Sequence, residues 1–354
     1  APDTLTVPYY CNRDLNSLME DIERAIVVVH GTLRNSNDYF EAIVDAANST
    51  TDGQTGLLIL APQFLIDADL EHHELPADML CWEYMGWRQG DQSLDTEQHP
   101  RPWQISSSGV ADSMILHIVD RCPNLNQIIL TGHSAGGQFT NRYAAASPTH
   151  FQVADSLGIG VRYIVSNPST FVYLTPERWV QGTTYDFAVP DQQDIDDCPE
   201  YNDYKYGLDN PNPYFDLEAA EITARYAARE VIYLQGSEDT NPNDFYLDRS
   251  CPAMMQGVHR FERGQVYYQY LRHVYGDTIT ALHDLAVVWG VGHNKYEMYN
   301  SACGIYHLFD EGECSPDPPP ADWVDIALPP LDSPLARTAA WGDYDRDGLP
   351  DLYI

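Results

Sequence analysis

Ser134 lies in Gly132-His133-Ser134-Ala135-Gly136, where the apolar run "QIILTGH" (127–133) meets the helical pattern of 135–147. A strand that turns into a helix at Gly-x-Ser-x-Gly forces the serine into a strained backbone conformation, and the flanking glycines let the two elements approach closely. The hydroxyl then stands at a helix N-terminus, where outward-pointing N–H groups favour developing negative charge. A serine hydroxyl is a weak nucleophile and needs a base that a carboxylate orients. Asp239 follows the run "EVIYLQG" (230–236), and His293 closes "LAVVWGVGH" (285–293). Taken singly, Asp239 reads as a turn residue and His293 as a surface histidine. At three strand ends in the order Ser…Asp…His, they read together as nucleophile, orienting carboxylate and base. Glu238, and behind it Asp244, are the alternatives to Asp239.

Acyl transfer also needs hydrogen-bond donors for an oxyanion. One is the N–H of Ala135, the residue after the serine. The other falls in the loop after "AIVVVHG" (25–31), at Thr32, with Leu33 as the alternative. Gly31 permits close approach to a bound acyl group there, and His30 reads as structural.

Placing these residues together requires a sheet whose strands end on one side. Six β-branched runs recur at 25–31, 56–64, 127–133, 162–168, 230–236 and 285–293. Nearly continuous apolar runs fit strands buried on both faces. Helical patterns at 38–47, 109–121, 135–147 and 258–275 lie between them. This alternation predicts an α/β fold with a mainly parallel sheet, helices on both faces and an active crevice at the carboxyl ends of the strands. Two stretches exceed ordinary loop length, 65–108 with Trp82, Trp87 and Trp103, and 169–229 with seven tyrosines. Each is expected to form a lid or substrate wall, giving an aromatic-lined site, although surface packing is the plainer reading of any one aromatic.

The chain has 354 residues, 44% of them apolar, and 53 acidic residues against 19 basic ones give a net charge of −34. A field of that sign repels nucleic acid and anionic membranes, so neither is an expected partner, and a monomer is expected. Only Lys205 and Lys295 are lysines. Acidic, lysine-poor surfaces suit salty surroundings, where screening blunts self-repulsion. No run reaches the length of a membrane span, and the start at "APDTLTVPYY" fits a mature secreted form. Seven cysteines without Cys-x-x-Cys spacing predict disulfides rather than a zinc site. Cys303–Cys314 is the leading pair, with Cys198–Cys251 and Cys81–Cys122 behind it and Cys11 left over. "EHHEL" (71–75) lacks the spacing that puts two imidazoles on one helix face.

From the motifs above, and from "FLIDADL", "WRQGDQS", "GHSAGGQFTNRYA", "NPSTFVYL" and "YNDYKYGLD", the chain resembles secreted α/β-hydrolase proteins from about Glu23 to about Phe309. Polyester depolymerases and feruloyl esterases are similar at a greater distance. The resemblance implies a serine hydrolase with Ser134, Asp239 and His293 in the three roles, and it implies no particular substrate.

The tail differs in character. Residues 1–314 read as the hydrolase domain, and 315–336, rich in proline, as a stiff linker. In 337–354, Asp343, Asp345, Asp347 and Asp351 are spaced around Gly348. Hard oxygen ligands at alternate positions before a sharp turn suit Ca²⁺. The spacing resembles the calcium loop of integrin-like FG-GAP repeats and implies a structural ion. A solvated acidic tail is the alternative. Such repeats stack in numbers, so the single loop either continues in a longer protein or docks on the hydrolase.

The expected activity is that of a secreted serine carboxylic-ester hydrolase on an aryl ester or polyester, with no cofactor in catalysis. The alternatives are an amidase or peptidase using the same three residues, and a calcium-dependent adhesion protein with an inactive hydrolase domain.

Overall fold

Alternate residues of one strand serve two cores: Ala25, Val27 and Val29 join one hydrophobic cluster, while Ile26 and Val28 join the other. Burial on both sides is what a strand inside a helix-covered parallel sheet requires. The computed structural model describes residues 4–76, 78–97, 100–315, 340–342 and 351–353. Residues 1–317 form one compact unit and 318–354 a second. In the first, the main sheet comprises β1 (Tyr9–Cys11), β2 (Arg24–Val29), β3 (Leu57–Pro62), β4 (Gln127–His133), β5 (Gly160–Ser166), β6 (Glu230–Gly236) and β7 (His283–Val288). Their spatial order is β1-β3-β2-β4-β5-β6-β7. Neighbours run parallel except at the edge, where β1 is antiparallel to β3.

The helices that frame the sheet are α1 (Ser36–Asn48), α2 (Ser107–Arg121), α3 (Ala135–Ala146), α4 (Ala219–Ala227), α5 (Arg260–Tyr275), α6 (Lys295–Tyr299) and α7 (Ala302–Phe309). On one face α1, α6 and α7 bury Ile43, Met298, Tyr299 and Leu308 against Ile26, Ile129 and Leu234. On the other, α2, α3, α4 and α5 bury Ile118, Phe139, Tyr226 and Tyr267 against Val27, Leu130 and Tyr233. Among the described residues, no helix is long and apolar enough to cross a membrane.

The six β-branched runs all became strands. The edge strand β1 was not anticipated, because "YYC" has no apolar alternation: Tyr9 and Tyr10 are exposed, and the strand rests on its ladder to β3. Two disulfides form, Cys198–Cys251 and Cys303–Cys314. The expected Cys81–Cys122 pair does not. Cys81 packs with Leu65 and Leu70, whereas Cys122 ends α2 and joins the main core. Burial pushes both thiols up to about 11.

Several imidazoles are sealed into this core. His283 sits between the hydroxyl of Tyr233 (2.9 Å) and the carbonyl of Tyr226 (3.0 Å), and His150 meets the Tyr163 hydroxyl at 3.1 Å. Burial pushes His30, His150, His283 and His307 down from 6.5 to about 4. Between those values the unfolded chain takes up protons that the folded chain refuses. Stability is therefore whole above about 6.5 and falls as the pH drops towards 4. The urea midpoint is expected to be clearly lower at pH 5 than at pH 7. An unchanged midpoint would show that these imidazoles titrate normally in the fold.

Candidate active site

Strand order decides where a crevice opens. β2 lies between β3 and β4; the chain leaves β2 through α1 towards one edge and leaves β4 through α3 towards the other. Such a switch point opens a crevice beyond the carboxyl ends of the strands. Thr32 follows β2 and Ser134 follows β4, so both face it.

At the β4–α3 corner Ser134 has φ 62° and ψ −118°. A side chain held there costs about 1–3 kcal/mol, which the surroundings must over-determine. They do so through the Ser134 N–H, which donates to the Ser166 carbonyl at 2.9 Å, and the Ser134 carbonyl, which accepts from the Gln138 N–H at 3.0 Å. Sterics add to this. A Cβ on Gly136 would overlap the Val29 carbonyl oxygen, and one on Gly132 would overlap the Gly136 backbone.

Asp239 and His293 come together as expected. Asp239 follows β6 and is 4% exposed. Its Oδ2 lies 2.6 Å from His293 Nδ1. A carboxylate only accepts, so Nδ1 carries the proton and Nε2 is left free to take one. Among the described residues neither alternative to Asp239 is bonded to His293. Glu238 is exposed, and its backbone N–H donates to the Val291 carbonyl. Asp244 accepts from Arg260 Nη2 at 2.7 Å. Burial, the largest single influence, would raise the Asp244 carboxyl, but the hydrogen bond and charge of Arg260 together with the Tyr246 N–H hold the group below the usual carboxylate range.

Arg260 and Asn167 were assigned no role from the sequence: Arg260 belongs to no motif, and Asn167 opens the stretch "NPSTFVYL" without marking what it bonds. Arg260 is 1% exposed at the start of α5 and also reaches Asp239 Oδ1 at 3.4 Å. One guanidinium thus balances two carboxylates. Asn167, at φ 41°, ties the end of β5 to two neighbours: its Oδ1 accepts from the Gly236 N–H at 2.8 Å and its Nδ2 donates to the Gly292 carbonyl at 3.4 Å. His133 packs against His293 with ring centroids 4.4 Å apart. Burial, then the neighbouring His293 charge, hold it neutral.

Ser134 and His293 line one cavity of about 260 Å³ with Gly31, Thr32, Tyr39, Tyr246 and Lys295. Among the described residues no hydrogen bond joins Ser134 Oγ to His293. Such contacts often tighten only when substrate is bound. Ala135 opens α3, where the first N–H groups have no partner inside the helix. The Thr32 side chain accepts from Arg88 Nη1 at 3.4 Å. His30 is structural: its Nδ1 donates to the Gly31 carbonyl at 2.9 Å, and its Nε2 accepts from the Phe64 N–H at 3.0 Å.

The aromatic lining expected from 65–108 is not what forms. Trp82 and Trp87 are buried in the core around Phe64, because His30, Phe64 and Phe139 supply a complementary apolar nest. Tyr246, from the segment after β6, lines the cavity instead. Asp343, Asp345 and Asp347 lie outside the described residues. Asp351 begins a strand, Asp351–Tyr353, paired antiparallel with Ala340–Gly342 in the second unit. Among the described residues, no group of three or more His, Cys, Asp or Glu is arranged to hold a metal.

Two solved structures share this architecture. The poly(3-hydroxybutyrate) depolymerase LpqC from Bordetella parapertussis is 23% identical, with a TM-score of 0.57 over 86% of this chain and 85% of that one. Poly(aspartic acid) hydrolase-1 from Sphingomonas sp. KT-1 is 22% identical, with a TM-score of 0.53 over 83% of this chain and 96% of that one. No protein-family model and no curated protein matches the chain. The sheet order, the serine corner at its switch point and these likenesses together define an α/β-hydrolase fold.

Proposed function

We propose that this chain is a secreted serine carboxylic-ester hydrolase. One observation carries the reading: a buried carboxylate grips His293 Nδ1 at 2.6 Å beside the cavity that also holds a strained, glycine-flanked serine. In this mechanism Ser134 Oγ attacks the ester carbonyl and His293 Nε2 takes its proton. Asp239 fixes the tautomer and stabilises the imidazolium. The N–H groups of Ala135 and Thr32 bind the oxyanion. His293 then protonates the departing alcohol and later activates the water that releases the acyl group.

The Bordetella structure is named for a polyester and the Sphingomonas structure for an amide-linked polymer, so the ester reading rests on the site and on direct assay. A cavity of about 260 Å³ suits a short acyl or aryl group, or the end of a polymer chain. Two disulfides support an oxidising, extracellular setting. An amidase with the same three residues would differ in protonating an amine, and a matched anilide separates the two.

Ser134→Ala is expected to lower kcat on a short 4-nitrophenyl ester by about 10⁴-fold or more, with circular dichroism and Tm retained. Undiminished turnover overturns the reading.

A second part of the reading is that Asp343, Asp345, Asp347 and Asp351 bind a structural Ca²⁺. Their spacing supports it. Calorimetric titration of the full chain should give one Ca²⁺ site that is lost in Asp345→Asn/Asp347→Asn, with esterase activity indifferent to chelation. Absence of a binding isotherm contradicts this part alone.

A further inference from the structure

The cavity at Ser134 has a feature that hydrolysis of a neutral ester does not use. The chain has two lysines against 53 acidic residues, and one of the two, Lys295, lines this cavity with Thr32, Tyr39, Ser134, Tyr246 and His293. Among the described residues no carboxylate lines it.

Lys295 is held firmly but engaged weakly. It opens α6 two residues after His293, where the Asn294 side chain caps the helix by accepting from the Tyr296 N–H at 3.0 Å. Its side chain is 25% exposed, so the stem is largely packed. The nearest carboxylate oxygen, Asp38 Oδ2, is 3.6 Å from Nζ, beyond hydrogen-bond reach. Asp38 is already served by the amides of Asn35 and Asn37. The Tyr39 ring lies 5.1 Å from Nζ, which favours the cation without occupying its three N–H donors.

A second cation touches the cavity lining at Thr32. Arg88 is 7% exposed and reaches Thr32 Oγ1, and among the described residues its Nε has no hydrogen-bond partner. The charge of −34 over the whole chain opposes an anion at long range. Screening over about 8 Å at physiological salt leaves the potential inside the cavity to the groups nearest it.

We infer that the preferred substrate is a short ester carrying a free carboxylate, which pairs with Lys295. This rests on the ester-hydrolase reading for its chemistry, while the pairing itself concerns binding. The carboxylate can sit on the acyl part or on the alcohol part, and two assay arms tell these apart.

The first arm compares 4-nitrophenyl hydrogen succinate with 4-nitrophenyl butyrate. The second compares 4-acetoxybenzoate with phenyl acetate. A preference of about tenfold in kcat/KM for the charged member is expected in one arm, the size of one charge-assisted hydrogen bond. It should fall towards one in Lys295→Gln, persist in Lys295→Arg and shrink in molar NaCl. Ratios near one in both arms for the unaltered protein overturn the inference, as does a preference that survives Lys295→Gln. Calorimetry with glutarate on the Ser134→Ala protein reads the site without turnover. If no ester is cleaved but glutarate binds and Lys295→Gln abolishes that binding, the hydrolase reading falls and the carboxylate site stands. If esters are cleaved but glutarate does not bind, the reverse holds.

Discussion

Everything at the site depends on how closely α3 comes down onto the sheet. Gly136 presses against the carbonyl of Val29, so the end of β2 and the start of α3 are in backbone contact. That approach accompanies the positive φ of Ser134 and a cavity that Ser134 and Thr32 line together. Any side chain at 136 would collide with the Val29 carbonyl and push the helix away from the end of β2. The strain at Ser134 is borne by backbone hydrogen bonds at 2.9 and 3.0 Å and by a helix that is buried along its whole length.

Electrostatics divides between surface and interior. The surface carries the excess acid. The interior uses arginine, and Arg142, Arg229, Arg260 and Arg263 are all fully buried. Their planar forks serve loop carbonyls as much as acids. Arg229 donates to the carbonyls of Ala144 and Ser147, Arg263 to those of Gly257 and Ser169, and Arg178 to those of Thr175, Glu177 and Tyr201. Arg178, with Arg263 at Ser169, thereby serves carbonyls within the long stretch 169–229, which has little regular structure and must still pair its backbone groups. Arginine suits the task because one side chain offers five donors in a fixed geometry, which a lysine ammonium cannot.

Much of this was legible beforehand, for identifiable reasons. Strands buried on both faces leave long apolar runs, so all six parallel strands could be read, and a site at strand ends follows from reading them. Ser134, Asp239 and His293 were singled out because each lies at or just beyond the end of such a run. Residues that act by long-range contact left no local mark of that role. Arg260 opens a helix far from Asp239 in sequence, Asn167 ties three strand ends together through one side chain, and Tyr246 reaches the cavity from an irregular segment. The tryptophans misled because composition does not distinguish a packed aromatic from a lining one. Cysteine pairing failed for the same reason at Cys81 and Cys122, which belong to separate parts of the packing.

The central claim is that Ser134 is a nucleophile made reactive by His293 and Asp239. Labelling the folded protein with a fluorophosphonate and mapping the adduct by peptide mass spectrometry tests it most directly. The account predicts one adduct per chain, on Ser134, formed far more slowly in His293→Ala. An unlabelled protein, or an adduct on another residue, would contradict it.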